Sequence, residues 1–207
     1  MTSTSHLIDD VEKLQSVYGE PSRPSITKEV DFVHPHYRSM IEAAPFAALA
    51  TIGPDGLDVS PRGDTGGFIV VDDEKTLLLP DRPGNNRVDS LRNIIQDPRV
   101  ALLFMIPGVN ETLRVNGRAR VSVDPTLLAR FAVNGKRPRS VVVIAVETVF
   151  FQCSRALVRS RLWDPEVQID RQSLPSTGTM LADIGGGDID AVDYDKRQPG
   201  RVAESLY

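Results

Sequence analysis

The chain has 207 residues, a net charge of -4 and a pI near 5.4, so it can bury one sizeable core and has no global positive field to draw nucleic acid or an anionic membrane. Its 41% hydrophobic and 25% charged residues exclude a disordered or low-complexity chain, and one cysteine, Cys153, excludes an internal disulfide. Three histidines, His6, His34 and His36, are too few and too badly spaced for a zinc cluster. Apolar runs such as residues 140–151 fall short of the roughly 20 residues that cross a bilayer, and the N-terminus lacks a signal peptide's apolar stretch, so a cytoplasmic protein is expected.

In chain order, Leu7, Val11, Leu14 and Tyr18 fall at helical spacing behind a Ser/Thr-rich start, and Gly19 and Pro21 end that helix. "HPHYRSMIEAAP" reads as a short helix entered through Pro35, followed by a strand over Phe46 to Ile52. The turn "GPDG" folds that strand onto "LDVSPRG", and two further strands, Phe68 to Val71 and Thr76 to Leu79, flank "DDEK". Four strands so close together predict an antiparallel meander.

Val88, Leu91, Ile94 and Ile95 define one face of a helix from about Arg87 to Gln96, which Pro98 stops. "RVALLFMIP" and "ETLRVNGRARVSV" read as strands. In the second, Leu113, Val115, Gly117, Ala119 and Val121 alternate with Arg114, Arg118 and Arg120 to give one buried and one cationic face. Asp124 and Pro125 open a short helix, and "RSVVVIAVETVFFQC" is the last long strand. Seven strands with few, short helices exclude a doubly wound sheet and predict a mainly β fold, a closed or nearly closed antiparallel barrel. An N-terminal helical arm (1–39), a barrel core (40–152) and a polar C-terminal extension of short helices and loops (153–207) divide the chain.

For chemistry, the sequence lacks GxSxG, Walker and GxGxxG patterns. Its informative stretch is "TLLLPDRPGNNRVDSLRNIIQDPRVALLF", where Asp81, Asn85, Asn86 and Arg87 crowd the mouth of a helix between two apolar strands. Free N–H groups and the positive end of a helix dipole make such a mouth suited to a phosphate, although an Asn-capped helix without a ligand reads the same way. Arg62, Arg114 and Arg118 either converge on that anion or sit as solvated rim charges. Trp163, flanked by Arg159 and Arg161, either borders a planar ligand or packs, and Cys153 at a strand end reads as a small core residue.

The order of "FAALATIGPDGLDVSPRGD", the stretch just quoted and "ETLRVNGRARV" resembles the pyridoxamine 5'-phosphate oxidase-like split-barrel flavoproteins, over about residues 40–150. Within them it is similar to the subgroup of FMN-dependent enzymes of unknown substrate. The resemblance implies a split β-barrel with FMN at a homodimer interface, and an oxidoreductase that passes a hydride through flavin N5 to or from a small substrate. It places the phosphate on Asn85, Asn86 and Arg87, with Ser60 and Arg62 nearby. The flavin ring then meets Leu79, Pro80 and Asp81, with Thr112 where the family has a glutamine. Asn86 stands where the family has a cation. Related barrels bind the deazaflavin F420 or haem. The C-terminal Arg-x-His pattern of vitamin B6 oxidases is missing, so that activity is not expected.

Overall fold

The computed structural model describes residues 6–206. Its seven strands are β1 (Phe46–Gly53), β2 (Gly56–Gly63), β3 (Val70–Asp73), β4 (Thr76–Asp81), β5 (Arg99–Met105), β6 (Thr112–Ser122) and β7 (Ser140–Gln152). All seven expected strands are present, β3 two residues later than its sequence suggests, so that Phe68 and Ile69 precede it, in one antiparallel sheet ordered β2-β1-β5-β6-β7-β4-β3.

That order corrects the expected meander. β1–β2 and β3–β4 are hairpins, but β2 and β3 do not pair; they form opposite edges of the sheet, so the barrel is not closed by hydrogen bonds. The cause lies in the later strands: β5, which pairs with β1, the 11-residue β6 and the 13-residue β7, which pairs with β4, stand between the two hairpins. Gly117 sits at a register shift in β6 where an added Cβ would lie 2.2 Å from the Ala145 carbonyl oxygen, so the strands approach there as only glycine permits.

The main apolar core is built from Leu49, Leu77, Leu79, Leu102, Phe104, Leu113 and Ile144 among others, and a smaller cluster joins Leu78, Phe131 and Val141. β6 alternates as its sequence predicts, with Leu113, Val115 and Ala119 buried and Arg114, Arg118 and Arg120 exposed. The helices are α1 (Val11–Tyr18), α2 (Arg23–Thr27), α3 (Pro35–Ala43), α4 (Asp89–Gln96), α5 (Pro125–Arg130), α6 (Arg155–Ser160), α7 (Thr177–Ile184) and α8 (Ala191–Ser205). α5 starts as read, with the Asp124 carboxylate accepting from the Thr126 and Leu127 amides.

α1 forms with Asp10 as its N-cap, yet Leu7, Val11, Leu14 and Tyr18 are all exposed, and the Ser/Thr-rich start ahead of it lies outside the described residues. Cys153 is exposed, which corrects its reading as a core residue: β7 ends at Gln152, so the thiol lies just past the sheet. Gly185–Gly187 form the turn between α7 and α8, which pack on each other, with the Asp195 carboxylate accepting from the Gly178 amide at 2.7 Å.

Candidate functional site

The helix at the site begins later than its sequence suggests. α4 starts at Asp89 with Val88 as N-cap, and Val88 has no polar side chain to cap with, so Arg87 belongs to the preceding loop. Asn85 makes that loop's turn by accepting the Arg87 amide at 3.0 Å, and Asn86 takes a left-handed conformation, φ 62°, which asparagine tolerates better than most residues.

α4 is held against β1, β2 and β6 by buried Ile94 and Ser90. The Ser90 hydroxyl donates to Asp58 on β2 at 2.7 Å, and the Asn93 amide donates to Thr51 on β1 at 3.1 Å. The loop's C-terminal end is therefore fixed to the first hairpin. Its start is fixed to the second, because β4 pairs with β7 through Asp81 whereas its pairing with β3 stops at Leu78. Pro80 lies on that free margin, where its missing N–H breaks no ladder bond.

Between these anchors lies a cavity of about 330 Å³. It is lined by Ser60, Arg62, Pro80, Asp81, Asn85, Asn86 and Arg87 from the sequence-based set, together with Asp64, Phe68, Arg82, Leu91 and Arg139. Four arginines face two aspartates on this lining, leaving it net cationic. Arg62 donates to Ser60 Oγ and, at 2.8 Å, to the Pro61 carbonyl. Burial pushes its pKa below the usual arginine value, against the opposing pull of Asp81 and Asp58. Burial likewise raises Asp81 above the usual carboxylate range, opposed by Arg62 and Arg139. Arg82 is committed to structure: its Nε meets Asp64 at 2.7 Å in a largely buried pair, and it donates to the Phe131 carbonyl at 3.2 Å. Arg87 pairs with Asp89, and its side chain is 80% exposed.

The remaining sequence-based candidates lie elsewhere. Leu79 is 1% exposed and belongs to the core, Thr112 is buried at the start of β6, and Trp163 donates to the Val109 carbonyl at 2.8 Å, outside the cavity lining. Arg114 and Arg118 do not line it either; Arg114 stacks on Phe150 at 5.2 Å. Arg139 was missed because it reads as the first residue of the last long strand, "RSVVVIAVETVFFQC", whereas β7 begins at Ser140. Its cluster of cations just before an apolar strand was the available signal, but only the β4–β7 register sets it beside Asp81, whose carbonyl accepts the Arg139 amide at 2.9 Å.

The sheet of short hairpins bridged by long strands, with a cationic cavity at a strand–loop–helix junction, defines a split-barrel protein of the pyridoxamine 5'-phosphate oxidase type. Residues 33–153 match the sequence profile of that family, described as pyridoxamine 5'-phosphate oxidase, and since this is more than half of the chain, the protein belongs to it. No curated protein matches the chain.

Among solved structures, it is similar to HupZ from Group A Streptococcus (18% identity, 57% of this chain and 92% of that one, TM-score 0.47). It is also similar to a candidate pyridoxamine 5'-phosphate oxidase from Lactobacillus delbrueckii (22%, 58% and 95%, 0.46). A third is a Clostridium acetobutylicum protein related to general stress protein 26 (13%, 56% and 85%, 0.43). At these values the likenesses say nothing of what this chain binds. Among the described residues there is no cluster of three or more metal-ligating side chains and no helix long and apolar enough to cross a membrane.

Proposed function

We propose that the protein binds FMN, with the phosphate in the cavity between β2, the end of β4 and α4, and acts as an oxidoreductase on a small substrate. The observation that carries the reading is the convergence of Arg62, from β2, with the loop residues Asn85, Asn86 and Arg87 on one net-cationic cavity. The donor set fits a phosphate monoester: guanidinium groups, amide groups and the Ser60 hydroxyl are all competent to hold its oxygens. Its volume is near the lower end of ligand pockets, about 300 Å³, and so suits the phosphate end of the cofactor better than all of it.

In this reading Arg62, Ser60, Asn85, Asn86 and Arg87 hold the phosphate, and Pro80 and Asp81 border the rest of the molecule. Bound FMN supplies hydride chemistry at flavin N5, while the chain orients the cofactor and tunes its surroundings. Asp81, already raised by burial, places a negative charge or a proton beside the cofactor according to pH.

A homodimer with the flavin at its interface completes the proposal. It accords with the exposed apolar side chains Leu57 and Val59 on edge strand β2 and Leu7, Val11 and Leu14 on and before α1. Sedimentation at micromolar concentration should give a dimer.

The test is the absorption spectrum of the purified protein and the mass of whatever heat releases. Oxidised-flavin bands with FMN in the supernatant are expected. A colourless protein that takes up no FMN refutes the reading, and turnover of reduced F420 without FMN retention replaces FMN with the deazaflavin.

A further inference from the structure

In the FMN reading neither cation of the loop is well placed for the phosphate: Arg82 is tied to Asp64, and Arg87, next to neutral Asn86, is turned to Asp89 with most of its side chain in solvent. We propose that Arg139, from the chain just before β7, supplies the missing cation and contacts the phosphate, with Asn86 as its support. This rests on the reading that a phosphorylated flavin occupies the cavity.

Three observations carry it. The Arg139 guanidinium lines the cavity and donates from Nη1 to Asn86 Oδ1, so it stands at the loop position that lacks a charge of its own. Its backbone is fixed by the bond from its amide to the Asp81 carbonyl, at the end of a strand register that runs through six pairs from Thr76 to Asp81. Its partner, Asn86, is neutral. A guanidinium has five donors, and among the described residues the side chain of Arg139 uses only Nη1, leaving the other edge able to meet two oxygens of one phosphate.

The other guanidiniums are less suited. Arg82 is locked to Asp64 and the Phe131 carbonyl, whereas Arg62 and Arg139 flank the same half-buried carboxylate, Asp81. A dianionic phosphate between Arg62 and Arg139 would meet two cations whose shared neighbouring carboxylate is Asp81, with Asp58 acting on Arg62 as well. Asn86 accepts this bond from a left-handed backbone conformation, φ 62°, that its short polar side chain tolerates.

The experiment is calorimetric titration of FMN and of riboflavin, which lacks the phosphate, into the wild-type protein, R139A and R139Q. R139Q keeps much of the side chain's length and its polarity if R139A fails to fold. FMN affinity should fall roughly tenfold to a hundredfold in both variants, the range for hydrogen bonds to a charged group, and riboflavin affinity should stay within about twofold of wild type. Unchanged FMN affinity, or equal losses for FMN and riboflavin, overturns the assignment of Arg139 and leaves the flavin reading standing. A wild-type protein that binds neither compound overturns the flavin reading, and this inference with it.

Discussion

Replacing Ile94 by alanine tests whether the site is positioned by the apolar face of α4. Ile94 is 3% exposed and packs in the main core, while the polar anchors Ser90 and Asn93 lie on the preceding turn of the same helix. The change removes three carbons, worth about 0.8 kcal/mol each in lost transfer free energy, and leaves a void between helix and sheet, so the total loss is about 3 kcal/mol. Against a stability of roughly 5–15 kcal/mol for a domain, such a loss is large but still allows folding. Urea unfolding followed by far-UV circular dichroism and by the fluorescence of Trp163 should show the midpoint falling by roughly 1.5 M for a slope of about 2 kcal/mol/M. A loss below about 1 kcal/mol would mean that α4 is not held by this face, and the account of how the loop from Arg82 to Val88 is placed would fail.

Arg62→Ala should weaken FMN binding by roughly tenfold or more, and Arg87→Ala by less, because Arg62 is half-buried in the cavity whereas Arg87 is paired with Asp89 in solvent. Equal effects in a fluorescence titration would contradict that ranking. Acid unfolding should depend on Asp97, whose carboxyl is lowered to about 2 by hydrogen bonds from the Arg99 side chain and backbone. A depressed carboxylate adds stability above its unfolded value of 3.8, and this is lost as the pH falls from about 3.8 to about 2. Asp97→Asn should therefore flatten the stability–pH curve in that window and leave its slope near neutrality alone. An unchanged acid limb would exclude Asp97 as its source.

The strands were legible because each carries its own signal: alternation in β6, a turn dipeptide between β1 and β2, and short apolar runs bounded by Gly and Pro elsewhere. The separation of β2 from β3 was not, because turn chemistry specifies a hairpin only within a few residues. Whether two hairpins then pair is decided by strands far away in sequence, here β5, β6 and β7. The start of α4 falls two residues later than its sequence suggests because Asn86 and Arg87 resemble helix-cap chemistry, while the asparagine turn and left-handed Asn86 commit those residues to the loop.

What the sequence by itself determined is the class of the protein. The mainly β pattern, the strand–loop–helix stretch at Asn85–Arg87 and the candidate cations Arg62 and Arg87 are local properties of side chains and spacing, and they sufficed to suggest an anion site at that junction. Only the tertiary structure decided which groups share the cavity: Arg139 joins it, Arg82 is tied to Asp64, and Thr112 and Trp163 lie outside its lining. The reason is the antiparallel register. A sheet brings together residues separated by any distance along the chain, and the pairing of Asp81 with Ser140 is set by the summed packing of the β4 and β7 side chains, which no single stretch encodes.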